Sequence, residues 1–271
     1  MGCALTSLRR PAEVYGHGLS ERIVGRAIRD RRDDVFVATK VAPAPEGSGF
    51  RPEEVRKACD GSLDRLGTDR IDLYQLHWPT AAVPVEETWG AMGELVDAGK
   101  VRFAGVSNFD QTLIERCLAT RHVDSLQPEF NMLEPERRGL IAWCGEQGIG
   151  VVTYAPLASG LLTGTITQET AFGPTDWRAD LDDESTLLFK PDRLPSVLET
   201  VDALRPVAER LGITLAQLAL AWNWRQPGVT AAIAGSRNPD HVRANAAAGD
   251  VEMDDATMAE IEGLLAGTTA A

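Results

Sequence analysis

Short apolar runs alternate with longer stretches whose apolar residues recur at helical spacing. Residues 35–41, 71–77, 101–107, 125–130, 150–154 and 231–234 are mostly apolar and too short for helices. Runs of that kind predict strands buried on both faces, as in a parallel sheet. Between them, residues 20–29, 52–66, 84–98, 110–120, 134–147, 194–211, 214–225 and 239–247 predict helices, and 254–265 a last amphipathic one. Their starts carry matching signals. Pro52 suits a first helical turn, Thr214 with Gln217 forms a capping box, and Asp110 or Ser20 can cap a free N-terminus.

Strand and helix in alternation imply right-handed βαβ units. An open dinucleotide-binding sheet would show Gly-x-Gly-x-x-Gly after its first strand. Here Gly16-His17-Gly18-Leu19-Ser20-Glu21 lacks the third glycine and follows no clear strand. A barrel accounts better for the polar residues at strand ends: Lys40, His77, Ser107 with Asn108, Gln127, and Tyr154. In a (β/α)8 barrel those ends converge on one face. Six strands are countable where eight close a cylinder. Residues 158–193 form the one long connection, a length that marks a functional or mobile loop.

With 271 residues and 44% apolar content the chain fits one barrel-sized domain, residues 1–271. A net charge of −13 argues against nucleic acid or an anionic membrane as partner. An anionic ligand must then be captured by local positive groups. Cys3, Cys59, Cys117 and Cys144 are scattered, which predicts neither a metal site nor disulfides and suits a reducing cytoplasm. No apolar run approaches the ~20 residues of a membrane helix.

Four segments carry the chemistry: Ala12-Glu13-Val14-Tyr15-Gly16, Ala38-Thr39-Lys40, Leu76-His77-Trp78-Pro79 and Gly105-Val106-Ser107-Asn108-Phe109. In that order they resemble the active-site framework of the aldo-keto reductases, NADP(H)-dependent enzymes built on a (β/α)8 barrel. The resemblance runs from about Tyr15 to Ala247. It implies reduction of a small aldehyde or ketone by hydride transfer, with Tyr15 as general acid, Lys40 favouring its phenolate, and His77 orienting the carbonyl oxygen. Trp78 would line the substrate pocket.

For the cofactor it implies that Ser107, Asn108 and Gln127 clamp the nicotinamide carboxamide and that Tyr154 stacks on the ring. Leu157, Ser159, Gly160 and Leu161 would follow the pyrophosphate. Gly235, Ser236 and Arg237, at the start of the last barrel helix, would take a 2′-phosphate, with His241 and Asn245 toward the adenine. The start departs from the pattern. Arg10 stands where the family has an Asp paired with the Lys, residues 1–11 align with nothing, and the first β/α unit with most of the second strand is missing. The expectation is therefore a truncated or frame-shifted bacterial aldo-keto reductase, with a non-catalytic or decayed NADP(H)-binding protein as the alternative. The sequence leaves oligomeric state open.

Overall fold

The computed structural model describes residues 12–42 and 50–266, so Arg10 and the atypical start lie outside the described residues. The chain runs α1 (Leu19–Ile28), β1 (Ala38–Val41), α2 (Pro52–Leu66), β2 (Ile71–Leu76), α3 (Val85–Asp97), β3 (Val101–Ser107), α4 (Gln111–Leu118), β4 (Ser125–Gln127), α5 (Arg138–Glu146) and β5 (Gly150–Thr153). After a long connection come α6 (Leu194–Ala203), α7 (Arg205–Arg210), α8 (Leu215–Trp224), β6 (Val229–Ala232), α9 (Pro239–Ala247) and α10 (Asp255–Ala266).

The six strands form one sheet in sequence order, every neighbour parallel. A doubly wound sheet reverses its strand order partway, and this one does not. The order is that of a barrel wall. Among the described residues β1 and β6 are its two edges, so the eight-stranded closure is not seen there. β1 and β2 are buried along their whole length, as apolar runs covered on both faces require. Beneath the helices, Trp222 of α8 stacks on Phe130 with ring centroids 5.4 Å apart, and Trp89 of α3 is fully enclosed.

Several boundaries differ from the sequence expectation for identifiable reasons. β4 stops at Gln127 because Pro128 has no N–H to continue the ladder. The expected helix over 194–211 breaks into α6 and α7 at Leu204, where Pro206 removes a backbone donor and crowds the preceding turn. α5 starts at Arg138, not 134, because Asn131 Oδ1 accepts the N–H groups of Leu133 and Glu134 and makes a turn of that segment. Ser20 lies inside α1, whose cap position is Gly18. The Thr214–Gln217 capping box and the Asp110 cap are formed.

Asp72 in β2 ties the strands together near their N-terminal ends. Its carboxylate accepts the Val37 N–H at 2.8 Å and pairs with Arg102 and Arg32, each at 2.8 Å. Burial opposes its ionisation, but the backbone hydrogen bond and the two guanidinium groups outweigh it and hold the carboxyl below its ordinary range. A depressed carboxyl stabilises the fold above its unfolded-state pKa and loses that effect as pH falls through the folded one. Asp72→Asn is expected to cost about 3 kcal/mol at neutral pH, measured by urea denaturation. The difference from the parent chain should shrink on acidification below about pH 4.

Candidate active site

The loop between the start of the described chain and α1 positions Tyr15. Gly16, His17 and Gly18 all have positive φ, at 60°, 52° and 82°. A side chain at Gly18 would also meet the aliphatic stem of Arg65. The loop is anchored by charge. Glu13 accepts the Ala42 N–H at 2.6 Å, just past β1, and faces Arg65 at 3.5 Å. Fully buried Glu21 binds the same guanidinium and accepts the Thr39 hydroxyl at 2.7 Å. Burial, more than any neighbour, pushes the Glu13 carboxyl up, with Glu21 adding to it against the Ala42 N–H and Arg65.

These bonds bring Tyr15 over the ends of β1 and β2. Its hydroxyl lies 3.3 Å from Nε2 of His77, and Lys40 Nζ lies 5.1 Å from its ring centroid. Tyr15 is 46% exposed, whereas Lys40 and His77 are 3% and 9% exposed. The phenol thus faces solvent from a buried, cationic floor. Trp78 stacks on His77 at 4.6 Å and meets Phe50 edge-on at 6.3 Å, forming one apolar wall beside the phenol.

The next three strand ends are stapled to one another. Asn108, held at φ 61°, donates its N–H to the Gln127 carbonyl at 3.1 Å, and the Ser107 hydroxyl donates to the same oxygen at 2.9 Å. Asn108 Nδ2 reaches the His77 carbonyl at 3.4 Å, and its Oδ1 lies 3.0 Å from the Tyr154 hydroxyl. Oε1 of Gln127 is buried without a hydrogen-bond partner. An unmade buried acceptor is costly, so this is a place for a ligand's N–H donor.

Beyond β5 a groove of about 860 Å³ runs between the Leu157–Ile166 segment and the start of α9. That is the size of a ligand site. Among its lining are Leu157, Ser159, Gly160, Gly235, Ser236, His241 and Asn245, all anticipated from the sequence. Leu161 turns into the core, fully buried, and Arg237 stands exposed outside the lining. A second cavity of about 690 Å³, beside α6 and α10, contains none of the anticipated residues.

Tyr15, Lys40, His77, Asn108 and Tyr154 are thus gathered at neighbouring strand ends, with the groove alongside. The family model described as the aldo/keto reductase family matches residues 11–266. The chain belongs to the aldo/keto reductase family. Its members are oxidoreductases. The chain is 37% identical over 241 residues to the aldo-keto reductase YhdN of Bacillus subtilis, covering 86% of this chain and 71% of that one. It is 33% identical over 264 residues to the NADH-specific methylglyoxal reductase of Escherichia coli, covering 90% and 79%. Among solved structures, a glycerol dehydrogenase of Gluconobacter oxydans superposes with a TM-score of 0.88 at 29% identity, over 98% of this chain and 82% of that one.

Sequence reading missed the anchors of this aldo/keto reductase's loops. Glu13, Glu21 and Arg65 act across 44 residues and share no local pattern. Arg178 was missed too. It lines the groove, grips Asp176 through Nε and Nη2 at 2.9 and 2.7 Å, donates through Nη1 to the Ser159 carbonyl at 3.0 Å, and lies over Phe172. Its hydrogen bonds push the Asp176 carboxyl down to about 2. Arg178 therefore ties the Asp176 turn of the 158–193 segment to its Ser159 end, where it lines the groove. Arg178→Ala is expected to make this segment the first site of limited trypsin or thermolysin cleavage, with the thermal midpoint little changed. Unchanged cleavage kinetics would show that the clasp does not hold the loop.

Proposed function

We propose that the chain reduces a small-molecule aldehyde or ketone to the alcohol, using NADP(H), through a single domain spanning residues 1–271. The observation that carries this reading is the Tyr15 hydroxyl 3.3 Å from His77 Nε2 beside the Lys40 ammonium. A reduced nicotinamide, when bound, supplies the hydride. The chain's own part is to hold the carbonyl and to deliver a proton. His77 orients the carbonyl oxygen toward the phenol, Tyr15 donates its hydroxyl proton to the developing alkoxide, and the Lys40 charge favours the phenolate left behind. Trp78, stacked on His77, forms a wall of the carbonyl pocket.

The residues present fit such a cofactor. The orphan acceptor of Gln127 can take the carboxamide NH2, Asn108 Nδ2 can serve its oxygen, and the groove passes Ser159 and Gly160 toward Gly235 and Ser236. Capture of an anion by a chain of net charge −13 needs local donors. Ser236 and Arg237 before α9 are such donors, and they support NADP(H) over NAD(H), the form named for the Escherichia coli relative. Among the described residues no helix is long and apolar enough to cross a membrane.

Two measurements test the reading. Titration of the 271-residue chain with NADPH, followed by nicotinamide fluorescence, should saturate in the micromolar range, and aldehydes or ketones should then be turned over. Tyr15→Phe should lower turnover by about 10²–10⁴-fold while leaving NADPH binding within a few-fold. Turnover that survives this change would remove Tyr15 from the acid's role, and binding without turnover in the parent chain would favour the non-catalytic alternative. Separately, Arg237→Ala should weaken NADPH by roughly 10-fold and leave NADH affinity unchanged. Equal loss for both would remove the 2′-phosphate from Arg237.

A further inference from the structure

Tyr154 has one hydroxyl hydrogen and two acceptors. Asn108 Oδ1 lies 3.0 Å away and Glu129 Oε2 3.3 Å away. The geometry is built into the sheet. Pro128 interrupts β4, but Glu129 rejoins the ladder through a parallel bridge to Tyr154, the Tyr154 N–H donating to the Pro128 carbonyl and the Phe130 N–H to the Tyr154 carbonyl. Glu129 and Tyr154 are therefore held side by side by backbone, and Asn108 is held against them by its bond to the Gln127 carbonyl. The acceptor sites lie on the ends of β3 and β4, and the shared donor on the end of β5.

A phenol donates one hydrogen at a time. When Glu129 is a carboxylate, a charge-assisted bond draws the Tyr154 hydrogen to it. Asn108 Oδ1 then loses its donor, the amide is held only by the long 3.4 Å bond from Nδ2 to the His77 carbonyl, and it is free to turn. When Glu129 is protonated, it donates to the Tyr154 oxygen instead, and Tyr154 donates to Asn108. That second arrangement fixes Oδ1 toward Tyr154 and leaves Nδ2 as the donor, at a strand end next to that of Gln127, whose Oε1 is an acceptor without a partner. A donor and an acceptor together are what a carboxamide requires.

We propose that Glu129 is a positioning residue for the nicotinamide carboxamide: by competing with Asn108 for the single hydrogen of the Tyr154 hydroxyl, it sets which way the Asn108 amide faces. This rests on the cofactor reading given above. Three charged or titratable groups face the pair: Glu134, Arg137 and Tyr15. Burial first, and then Glu134 in the turn beyond β4, push the Glu129 carboxyl above its ordinary range, against the Tyr154 hydroxyl and Arg137 ahead of α5, which lower it. Burial and Glu129 push the Tyr154 phenol upward, and Tyr15 across the site adds to this, so Tyr154 stays a neutral donor while Glu129 titrates.

The test is the affinity for NADP+, which is stable in acid, measured by quenching of tryptophan fluorescence from acid to neutral pH in three proteins. In the parent chain affinity should fall roughly 3- to 10-fold as pH rises through the titration of Glu129. Glu129→Gln cannot ionise, and its amide NH2 can donate to the Tyr154 oxygen, so it should keep the acid-side affinity at every pH. Tyr154→Phe should also lose the step but sit at the weaker affinity. Titration of the cofactor's own 2′-phosphate is common to all three and cancels in the comparison. A parent-like step in Glu129→Gln overturns the inference while leaving the cofactor reading intact. No saturable NADP+ binding by the folded parent chain overturns the cofactor reading and this inference with it. Should Glu129→Gln fail to fold, the Tyr154→Phe profile decides alone, and a retained step there overturns the proposal.

Discussion

Parallel pairing from β1 to β6 is the constraint from which the rest of the molecule follows. A parallel ladder needs each strand to return by a crossover, so every strand ends at the same face. Lys40, His77, Asn108, Gln127 and Tyr154 have no sequence proximity, yet the ladder delivers them to one surface. Register does the fine work: Lys40 pairs with Gln75 and Ser107 with Gln127. A slip of one residue would turn each of these side chains to the opposite face of the sheet. The buried Asp72 of β2, bonded to Val37 just before β1 and to Arg102 of β3, restrains that slip in the first half of the wall.

The phenol's own placement depends on a different force. Tyr15 belongs to no strand and no helix, and its loop is bent through three consecutive left-handed residues. Such a loop keeps one shape only if its surroundings impose it. Here the imposition is electrostatic, with the fully buried Glu21 and the partly buried Glu13 both facing the Arg65 guanidinium and Glu21 also held by the Thr39 hydroxyl. The active end of the molecule is thus made of two kinds of part: strand ends set by backbone pairing, and a loop set by ion pairs reaching back to α2.

Features with a local period were legible from the chain alone. Six strands were readable as apolar runs, and their polar terminal residues marked the site. Family motifs then supplied roles for Tyr15, Lys40 and His77 that period alone does not. Boundaries failed where one residue overrides a pattern, as Pro128 does in β4 and Pro206 does between α6 and α7. Glu129 was within reach, since it lies two residues beyond Gln127 and extended backbone repeats its facing every second residue. Arg178 and the Glu13–Arg65–Glu21 set were not. Their partners are brought together by the fold, and nothing in their neighbours along the chain announces it.

The shared guanidinium of Arg65 also bears on how such a chain changes over generations. Glu13, Glu21 and Gly18 all meet Arg65: the two carboxylates pair with its charge, and Gly18, whose φ of 82° already favours glycine, leaves room where its aliphatic stem passes. Effects of substitutions in one such contact set do not add. Exchange of any one of the four is therefore a step downhill unless a second accompanies it, and divergence among descendants of this chain should move these positions as a block while the exposed faces of the helices drift freely.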